Sequence, residues 1–396
     1  MENLNKLALR NFQQYLQIPT VHPNVDYAKC VKFLENQAEE LQLPIQVIYL
    51  KPKKPVVIIT WMGAQVELPS IFLNSHMDVV PVFEEQWKYK PFGAEVHEGK
   101  IYARGSQDMK SVGIQYLEAI RRLKLNGVIC SRTVHVCFVP EEEIGGEEGM
   151  KLFTKTEEFK KLNIGIALDE SITSENDAMI LFYGEKCLWQ FDIYCEGQTG
   201  HGSLLLDNTP GEKVAYLLQK FYDFRKDQEK NFRENHNSLG DVTTINCTKI
   251  SGGVQDNVIP NKMLLTFDCR ISTKSITLKD FECMINSWIK EAGPHCSISY
   301  HAKESGTPNT ELNDSNIFWT AFKKATDKMK IKIKTELNCA TSDSRYLRKM
   351  GIPSFGFSPI NNTKKLLHSH NEYLGVDTFL KGIEIYCEII REIANA

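Results

Sequence analysis

Apolar residues in the first half of the chain occur partly in short runs and partly at helical spacing. The runs typical of strands are VVIITWMG, SIFLNS, TVHVCFV and IGIALDE, which occupy residues 56–63, 70–75, 133–139 and 164–170. The segment SVGIQYLEAIRRLK instead repeats apolar residues along one helical face, at Val112, Tyr116, Leu117, Ile120 and Leu123. Alternation of strands with helices predicts an α/β layer with a mostly parallel central sheet.

The order of strand and helix patterns changes between about residues 187 and 303. Strand and helix patterns there follow in the order LWQFDIYC, GEKVAYLLQKFYDF, TTINCTKI, MLLTFDCRIS, LKDFECMINSWIKEAG and SISYHA. This βαββαβ order predicts an α+β unit of the ferredoxin-like type. After the linker SGTPN the alternation of helices and strands resumes. We therefore expect a discontinuous main domain at 1–186 and 304–396, with a second domain inserted at 187–303.

Composition narrows the class of protein. Of 396 residues, 42% are hydrophobic and 24% are charged, which indicates a folded globular chain rather than a disordered one. Lys and Arg number 47 against 50 Asp and Glu, so there is no basic excess for a nucleic-acid partner. No run approaches the ~18 apolar residues of a membrane span, so no membrane partner is expected.

Cysteine usage and the first residues favour a cytoplasmic location. The segment MENLNKLALRNFQQYLQIPT lacks the apolar core and cleavage site of a signal peptide. The eleven cysteines are scattered and never form a CxxC pair. We interpret them as reduced, mostly structural thiols and not as metal ligands.

Polar side chains follow several predicted strands, where ligands of open α/β sheets bind. His76 and Asp78 are two residues apart, so in an extended chain they point to the same side. An aspartate there can fix the tautomer of the imidazole and leave the other nitrogen for a metal. The pair alone is equally typical of a polar corner at a strand end.

Other acids and histidines have similar positions, each with an ordinary structural explanation. Asp108 precedes a helix and could be its N-cap, the run Glu141–Glu143 could be a solvated face, and Glu170 could belong to a loop. His368 and His370 could be surface or core residues. Together, however, five segments supply imidazole and carboxylate groups without a thiolate. That set suits zinc, cobalt or manganese, with enough carboxylates to bridge two ions.

The ordered motifs resemble those of the M20 metallopeptidases. The matching segments are HMDVVPV, YARGSQDMK, VPEEEIGG, LDES, GQTGHGS, GGVQDNVIP and FSPINNTKKLLHSHNE. They are spread over nearly the whole chain, and their residues are most similar to those of family members that act on N-acyl-L-amino acids. The resemblance implies a zinc-peptidase-like catalytic domain and an inserted lid domain through which two subunits form a homodimer.

The resemblance also implies two zinc ions per subunit. His76 and Glu170 would bind one ion, and Glu143 and His370 would bind the other. Asp108 would bridge the two ions. These five residues are the predicted metal ligands.

Further roles follow from the same resemblance. Asp78 would stand behind His76, and Glu142 would be the general base. His201 would present an imidazole to the oxyanion in the other subunit's active site, although a histidine among glycines is also typical of a plain loop. Asn257 and Arg345 would hold the substrate's carboxylate, with a turn and a surface helix as the simpler explanations.

The implied activity is hydrolysis of N-acyl-L-amino acids, which are small-molecule substrates, to a carboxylate and a free amino acid. A dipeptidase or another amide hydrolase on the same fold is the alternative enzyme. A catalytically silent binding protein is the alternative of another class, and it would be marked by a missing ligand or base. The sequence lacks neither.

Overall fold

The structure is a computed structural model and describes residues 2–234 and 238–396. The chain begins with α1 (Glu2–Leu16), α2 (Ala28–Leu41), β1 (Ile45–Lys51), β2 (Lys54–Trp61), β3 (Ser70–His76), β4 (Glu95–His97), β5 (Lys100–Tyr102), α3 (Lys110–Leu125), β6 (Val134–Val139), α4 (Met150–Phe153), α5 (Glu157–Lys161), β7 (Ile164–Asp169) and β8 (Met179–Glu185). It continues with β9 (Cys187–Glu196), β10 (Gly200–His201), α6 (Pro210–Glu234), β11 (Thr244–Gly252), β12 (Val258–Ile259), β13 (Lys262–Ile271), α7 (Leu278–Glu291) and β14 (Cys296–Lys303). It ends with α8 (Ile317–Lys328), β15 (Ile333–Asn338), α9 (Ser344–Lys349), β16 (Ser354–Phe357), β17 (Tyr373–Gly375) and α10 (Val376–Ile393).

The chain forms two units. The first unit contains the residues up to Gly184 together with Pro308–Thr335 and Thr341–Ala396. The second contains Glu185–Thr307 and a short return segment, Glu336–Ala340. This return segment is not part of the 187–303 range expected from the sequence.

The first unit is built on an eight-stranded sheet in the order β1-β2-β6-β3-β7-β16-β8-β15. The central strands β6, β3, β7 and β16 are parallel, whereas β1 and β2 pair antiparallel with each other and β2 with β6. The sheet is thus mixed, and the expected parallel arrangement holds only at its centre. The short turn between β1 and β2 permits only an antiparallel pair.

Helix α3 is buried on every face. All residues from Lys110 to Leu123 are buried, including Glu118 and Arg121, because α1, α10 and the sheet surround the helix. The apolar residues that the sequence places along one side of this helix account for only one of its buried faces. Glu118 is accommodated by ionic and amide partners, since Arg121 Nε and Asn11 Nδ2 donate to it at 3.1 and 2.8 Å.

The second unit has the strand order β11-β13-β9-β14, with every pair antiparallel. Helices α6 and α7 supply apolar residues, among them Leu217, Phe221 and Phe281, to a core with β9 and β13. This arrangement is the ferredoxin-like order predicted from the sequence. Strands β10 and β12, which are far apart in the sequence, form a separate two-stranded antiparallel sheet.

None of the helices in residues 2–234 and 238–396 is both long enough and apolar enough to span a bilayer.

Candidate active site

Several predicted site residues gather at one edge of the central sheet in the first unit. His76 is the last residue of β3, and Glu170 directly follows β7. A single turn of 3₁₀ helix, Glu142–Ile144, follows β6. Because β3, β6 and β7 are parallel, their carboxyl ends bring these three segments together.

The first group consists of His76, Asp108 and Glu170. His76 Nε2 lies 3.0 Å from Asp108 Oδ1 and 3.3 Å from Glu170 Oε2. His76 Nδ1 lies 2.9 Å from the backbone oxygen of Asp78, to which it can donate. This tautomer leaves the Nε2 lone pair facing two carboxylates, as in histidines that bind metals.

The second group consists of Asp108, Glu143 and His368. His368 Nε2 lies 3.2 Å from Asp108 Oδ2 and 3.1 Å from Glu143 Oε2. The Glu143 side chain is 4% exposed, whereas His368 is 56% exposed. The site is therefore closed on the glutamate side and accessible beside His368.

The structure brings His368 to this position and leaves His370 outside both groups among the described residues. His368 has a φ of +60°, and this turn directs its ring back towards Asp108. The ring of His370 instead packs edge-on against Phe83, with 6.0 Å between centroids. The expected ligand role of His370 does not match this geometry, because the turn at His368 separates the two rings.

Asp108 belongs to both groups, one carboxylate oxygen to each. Its Oδ1 faces His76 and its Oδ2 faces His368. The N-cap position of α3 is Met109, so the alternative explanation of Asp108 as a helix cap does not apply. A carboxylate with its oxygens turned towards two separate imidazoles has the geometry of a bridge between two ions.

Asp78 contacts His76, as expected, and also the turn that contains Glu142 and Glu143. Its carboxylate Oδ1 is 3.8 Å from His76 Nδ1, and the contact at hydrogen-bond distance is made by its backbone oxygen. The carboxylate instead accepts the backbone N–H groups of Glu142 and Glu143, at 3.1 and 3.0 Å. His22 Nε2 completes this arrangement at 2.8 Å. Asp78 thus supports the glutamate turn as well as the histidine.

The acidic side chains of the site are buried close to one another, which opposes the ionisation of several of them. Burial and the charge of Glu170 raise the pKa of Glu142 well above its ordinary value. Burial and the charge of Asp108 likewise raise the pKa of Glu143 and of Glu170. Burial also opposes ionisation of Asp108, but hydrogen bonds from His368 and His76 outweigh it and hold the Asp108 pKa well below its ordinary value.

These residues fit a pair of divalent metal ions. Each group offers an imidazole nitrogen and carboxylate oxygens, the donor set that zinc and similar ions accept. Glu143 Oε1 is buried and has no hydrogen-bond partner within the described parts of the chain. A cation would satisfy this oxygen and offset the repulsion among the acids.

The loops that carry Asp108 and His368 are tied together. Glu372 accepts hydrogen bonds from Arg104 Nη1 and from the backbone N–H of Gln107, both at 2.6 Å. The Gln107 side chain donates to the backbone oxygens of Lys364 and Tyr373, at 3.0 and 2.8 Å. These contacts bracket both ligands, so the two loops hold each other in place.

Arg345 lies beside the turn that contains Glu142. Its Nη2 donates to the backbone oxygen of Gly145 at 2.7 Å, and its guanidinium lies over the Tyr346 ring at 4.6 Å. The Tyr346 hydroxyl donates to the same oxygen at 2.6 Å. Arg345 is thus held beside this turn, and its predicted role towards a substrate carboxylate stays a prediction.

His201 and Asn257 lie together in the second unit. His201 pairs with Val258 in the two-stranded sheet of β10 and β12, and the backbone N–H of Gly202 donates to the backbone oxygen of Asn257 at 2.8 Å. The His201 ring is exposed, and its Nδ1 forms a hydrogen bond with Ser203 Oγ, 2.7 Å away. This strand pairing therefore brings the two predicted residues close together in the second unit.

Sequence reasoning missed three contributors to this site. His22, Gln107 and Glu372 contact the loops of the ligands from positions that show no ligand spacing. Gln107 lies within the motif YARGSQDMK, and Glu372 is the last residue of FSPINNTKKLLHSHNE, so membership of these motifs was the available signal. His22 lies near the start of the chain, and nothing in its local pattern points to Asp78.

The chain is similar to known proteins whose family is consistent with a metal site of this geometry. The model for peptidase family M20/M25/M40 matches residues 72–392. Aminoacylase-1 of Mus musculus is 44% identical over 386 residues, which are 97% of this chain and 94% of that protein. Aminoacylase-1 of Homo sapiens is 42% identical over the same shares, and that of Dictyostelium discoideum is 39% identical over 97% of both chains.

Solved structures share the fold at low identity. Aminopeptidase PepT from Bacillus cereus has a TM-score of 0.74 at 18% identity and covers 99% of both chains. The YXEP protein of Bacillus subtilis, described as a dinuclear metal-binding peptidase of the M20 family, has a TM-score of 0.73 at 15% identity and covers 98% of both chains. These neighbours establish the architecture.

Proposed function

Because the chain belongs to peptidase family M20/M25/M40, we propose that it hydrolyses N-acyl-L-amino acids to a carboxylate and a free L-amino acid. The observation that carries the proposal is Asp108, shared between two groups that each contain a histidine and a glutamate. The family match and the aminoacylase-1 relatives support the same reaction.

Two zinc ions per subunit are the proposed cofactors. His76, Asp108 and Glu170 would hold one, and Asp108, Glu143 and His368 the other. His368 here replaces the His370 of our sequence prediction. Zinc, when bound, supplies Lewis-acid polarisation of the amide carbonyl and makes water acidic enough to react near neutral pH.

Glu142 is the proposed general base. Its backbone N–H is fixed by Asp78, and its raised pKa gives it affinity for a proton taken from water. Glu142 accepts that proton as the water oxygen attacks the amide carbon, and then delivers it to the departing nitrogen. Glu143 adjoins it but faces His368, which explains how neighbouring glutamates can have separate roles.

The remaining predicted residues act on the substrate. We assign Arg345 to the substrate's carboxylate, since a guanidinium offers a planar, two-pronged donor, and Asn257 to the same end of the substrate. His201 would stabilise the oxyanion in the active site of the partner subunit of a homodimer. Such a donor is commonly worth a factor of ~10²–10³ in rate.

A cytoplasmic location fits the thiols. All eleven cysteines lie within the described residues, and none of them forms a disulfide bond there. Reduced thiols in this number are typical of a reducing compartment. Expression as a tagged protein, followed by cell fractionation, tests this location.

A substrate panel tests the reaction. Purified protein is stripped with a chelator, reloaded with zinc, and assayed with N-acetyl-L-methionine, a long-chain acyl-L-glutamine and unmodified dipeptides. We expect no turnover without metal, recovery with zinc, and the highest kcat/KM on an N-acyl amino acid. Preference for dipeptides would favour the alternative amide hydrolase, and inactivity on every substrate would favour a binding protein.

A further inference from the structure

The segment Thr20–Tyr27 is fixed against the loop that follows β3. Val21 forms a parallel bridge with Val79, and His22 N donates to Val79 O at 3.2 Å. Val79 N in turn donates to Thr20 O at 2.9 Å. The backbone of this early segment is therefore positioned by the same loop that contains Asp78.

This docking delivers a ring nitrogen to a buried carboxylate. His22 Nε2 lies 2.8 Å from Asp78 Oδ2, and the two side chains are 8% and 0% exposed. Asp78 also accepts the backbone N–H groups of Glu142 and Glu143. His22 thus contacts the group that holds the glutamate turn, and it does so where water has little access.

We infer that His22 is a positioning residue for the proposed general base. It fixes the carboxylate of Asp78, and Asp78 fixes the backbone from which Glu142 and Glu143 extend. The inference rests on the proposed function of this site and adds a residue that does not touch the substrate. Without the His22 donor, Asp78 loses one of three hydrogen bonds and can rotate away from the turn.

A second contact from the same segment supports this role. The Tyr27 hydroxyl donates to Glu141 Oε1 at 2.9 Å and accepts the backbone N–H of Glu141 at 3.2 Å. Lys54 Nζ lies 2.6 Å from the same carboxylate oxygen. Glu141 has a φ of +70°, an unfavourable region for a residue with a side chain, and immediately precedes Glu142. The segment thus fixes the residue that leads into the proposed base.

The expected effect is on turnover more than on binding. Small displacements of a catalytic group can lower rates by ~10²-fold. Loss of a residue that supports ligands or catalytic groups typically costs a factor of ~10–100. Glutamine in place of His22 retains an N–H donor, whereas alanine and leucine do not, and leucine fills similar space.

The experiment compares His22→Ala, His22→Leu and His22→Gln in the zinc-loaded full chain with N-acetyl-L-methionine. We expect kcat to fall ~10–100-fold in the alanine and leucine variants, with KM changed less than about threefold and zinc content retained. His22→Gln should recover to within about threefold of the original kcat. Because His22 positions and does not transfer a proton, the acidic limb of the kcat–pH profile should stay in place in His22→Gln.

The control is His301→Ala, since His301 Nε2 lies 2.9 Å from an aspartate oxygen, that of Asp192, but the His301 side chain is exposed and belongs to the second unit. It should leave kcat unchanged. Unchanged kcat in His22→Leu would overturn the inference, as would equal losses in the glutamine and leucine variants. If His22→Ala does not fold, the leucine and glutamine pair decides. An inactive parent protein would instead reject the proposed function, so the two failures are distinguishable.

Discussion

Glu142 and Glu143 are adjacent, yet their carboxylates have different surroundings. Glu143 contacts His368 and offers a buried oxygen, whereas Glu142 is held through its backbone and has a raised pKa. We expect Glu142→Gln to lower kcat by ~10³-fold or more, because the amide keeps the shape of the side chain but cannot accept the proton. Zinc content, measured by elemental analysis, should be unchanged.

The matched control for this change is Glu147→Gln. Glu147 is exposed and pairs with Lys151 on the surface, so its substitution should leave kcat within about twofold of the original. Retained hydrolysis in Glu142→Gln would remove Glu142 as the base.

His368 and His370 give a second prediction at the residue scale. We expect His368→Ala to lose about one zinc ion per chain, because its ring contacts two of the proposed ligands. His370→Ala should retain both ions, since its ring packs against Phe83. Elemental analysis after dialysis against a weak chelator measures the difference. Loss of metal in His370→Ala alone would restore our sequence-based assignment.

The same pair shows what local sequence can and cannot determine. The motif LLHSHNE identifies the segment but not which ring turns inwards, because the answer depends on a positive φ at His368. His76, Asp108, Glu143 and Glu170 were easier to propose, since each lies close to the end of a predicted strand or the start of a predicted helix. His22 was beyond reach, because its contact with Asp78 depends on tertiary docking.

At the scale of elements, close approach of α3 to the sheet gives a stability prediction. A Cβ atom on Gly113 would lie 2.7 Å from Phe138 Cε1 and from Ser75 Oγ. Gly113→Ala should therefore destabilise the protein by ~1–3 kcal/mol, even though alanine favours helices. Thermal unfolding of the zinc-loaded protein provides the measurement.

Gly211 offers the matched control in another helix. No atom lies within 4 Å of a Cβ built there, counted over the described residues and outside its own helix backbone. Gly211→Ala should leave the melting temperature unchanged or slightly raised. Equal destabilisation by both substitutions would mean that steric contact at α3 is not the cause.

Strand β6 gives a prediction about pH. Burial lowers the pKa of His135 to about 4, and the ring lies 3.0 Å from Thr60 Oγ1. The unfolded chain therefore takes up this proton at a higher pH than the folded chain does. The resulting stability is present above the ordinary histidine pKa of about 6.5 and is lost as pH falls towards 4.

His135→Gln should remove this contribution. The free energy of unfolding of the original protein should fall by up to about 3 kcal/mol more than that of the variant between pH 7 and pH 4. Urea unfolding of both proteins at several pH values measures this difference in free energy. Loss of metal at low pH affects both proteins equally and therefore cancels in the difference. Parallel pH profiles would show that His135 is protonated in the folded state.

The pattern of apolar residues predicted which segments are strands or helices better than it predicted the packing around them. The strands β2, β3, β6 and β7 follow the apolar runs closely, and the βαββαβ order was evident. The antiparallel flanks of the large sheet were not, because a run of apolar residues indicates burial but not the direction of its neighbour. Burial of Glu118 and Arg121 in α3 was equally hidden, since it depends on three packed neighbours.

At the scale of the whole molecule, the proposed homodimer predicts complementation. A mixture of inactive His201→Ala and Glu142→Gln subunits would contain dimers with one complete site, if each lid serves the partner's site. With random exchange about half of the dimers are mixed, so about a quarter of the original activity should return. Exchange is verified with two affinity tags, and His201→Ala mixed with itself is the control.

Absence of restored activity in verified mixed dimers would reject catalysis across the interface. It would leave the metal groups of the first unit untouched, because those come from one chain. This separation allows the assembly and the reaction to be tested independently.

The return segment Glu336–Ala340 has a consequence for how the molecule is made. It belongs to the second unit, where Asn338 accepts the backbone N–H of Lys186 at 3.0 Å and Gly240 packs against the Leu337 backbone. On a translating ribosome the ferredoxin-like unit must therefore wait for α8 and β15 to emerge before it is complete. A nascent chain that ends near Thr307 would lack the segment that contacts Lys186 and Gly240, so this part of the second unit would stay unpaired until translation is almost complete.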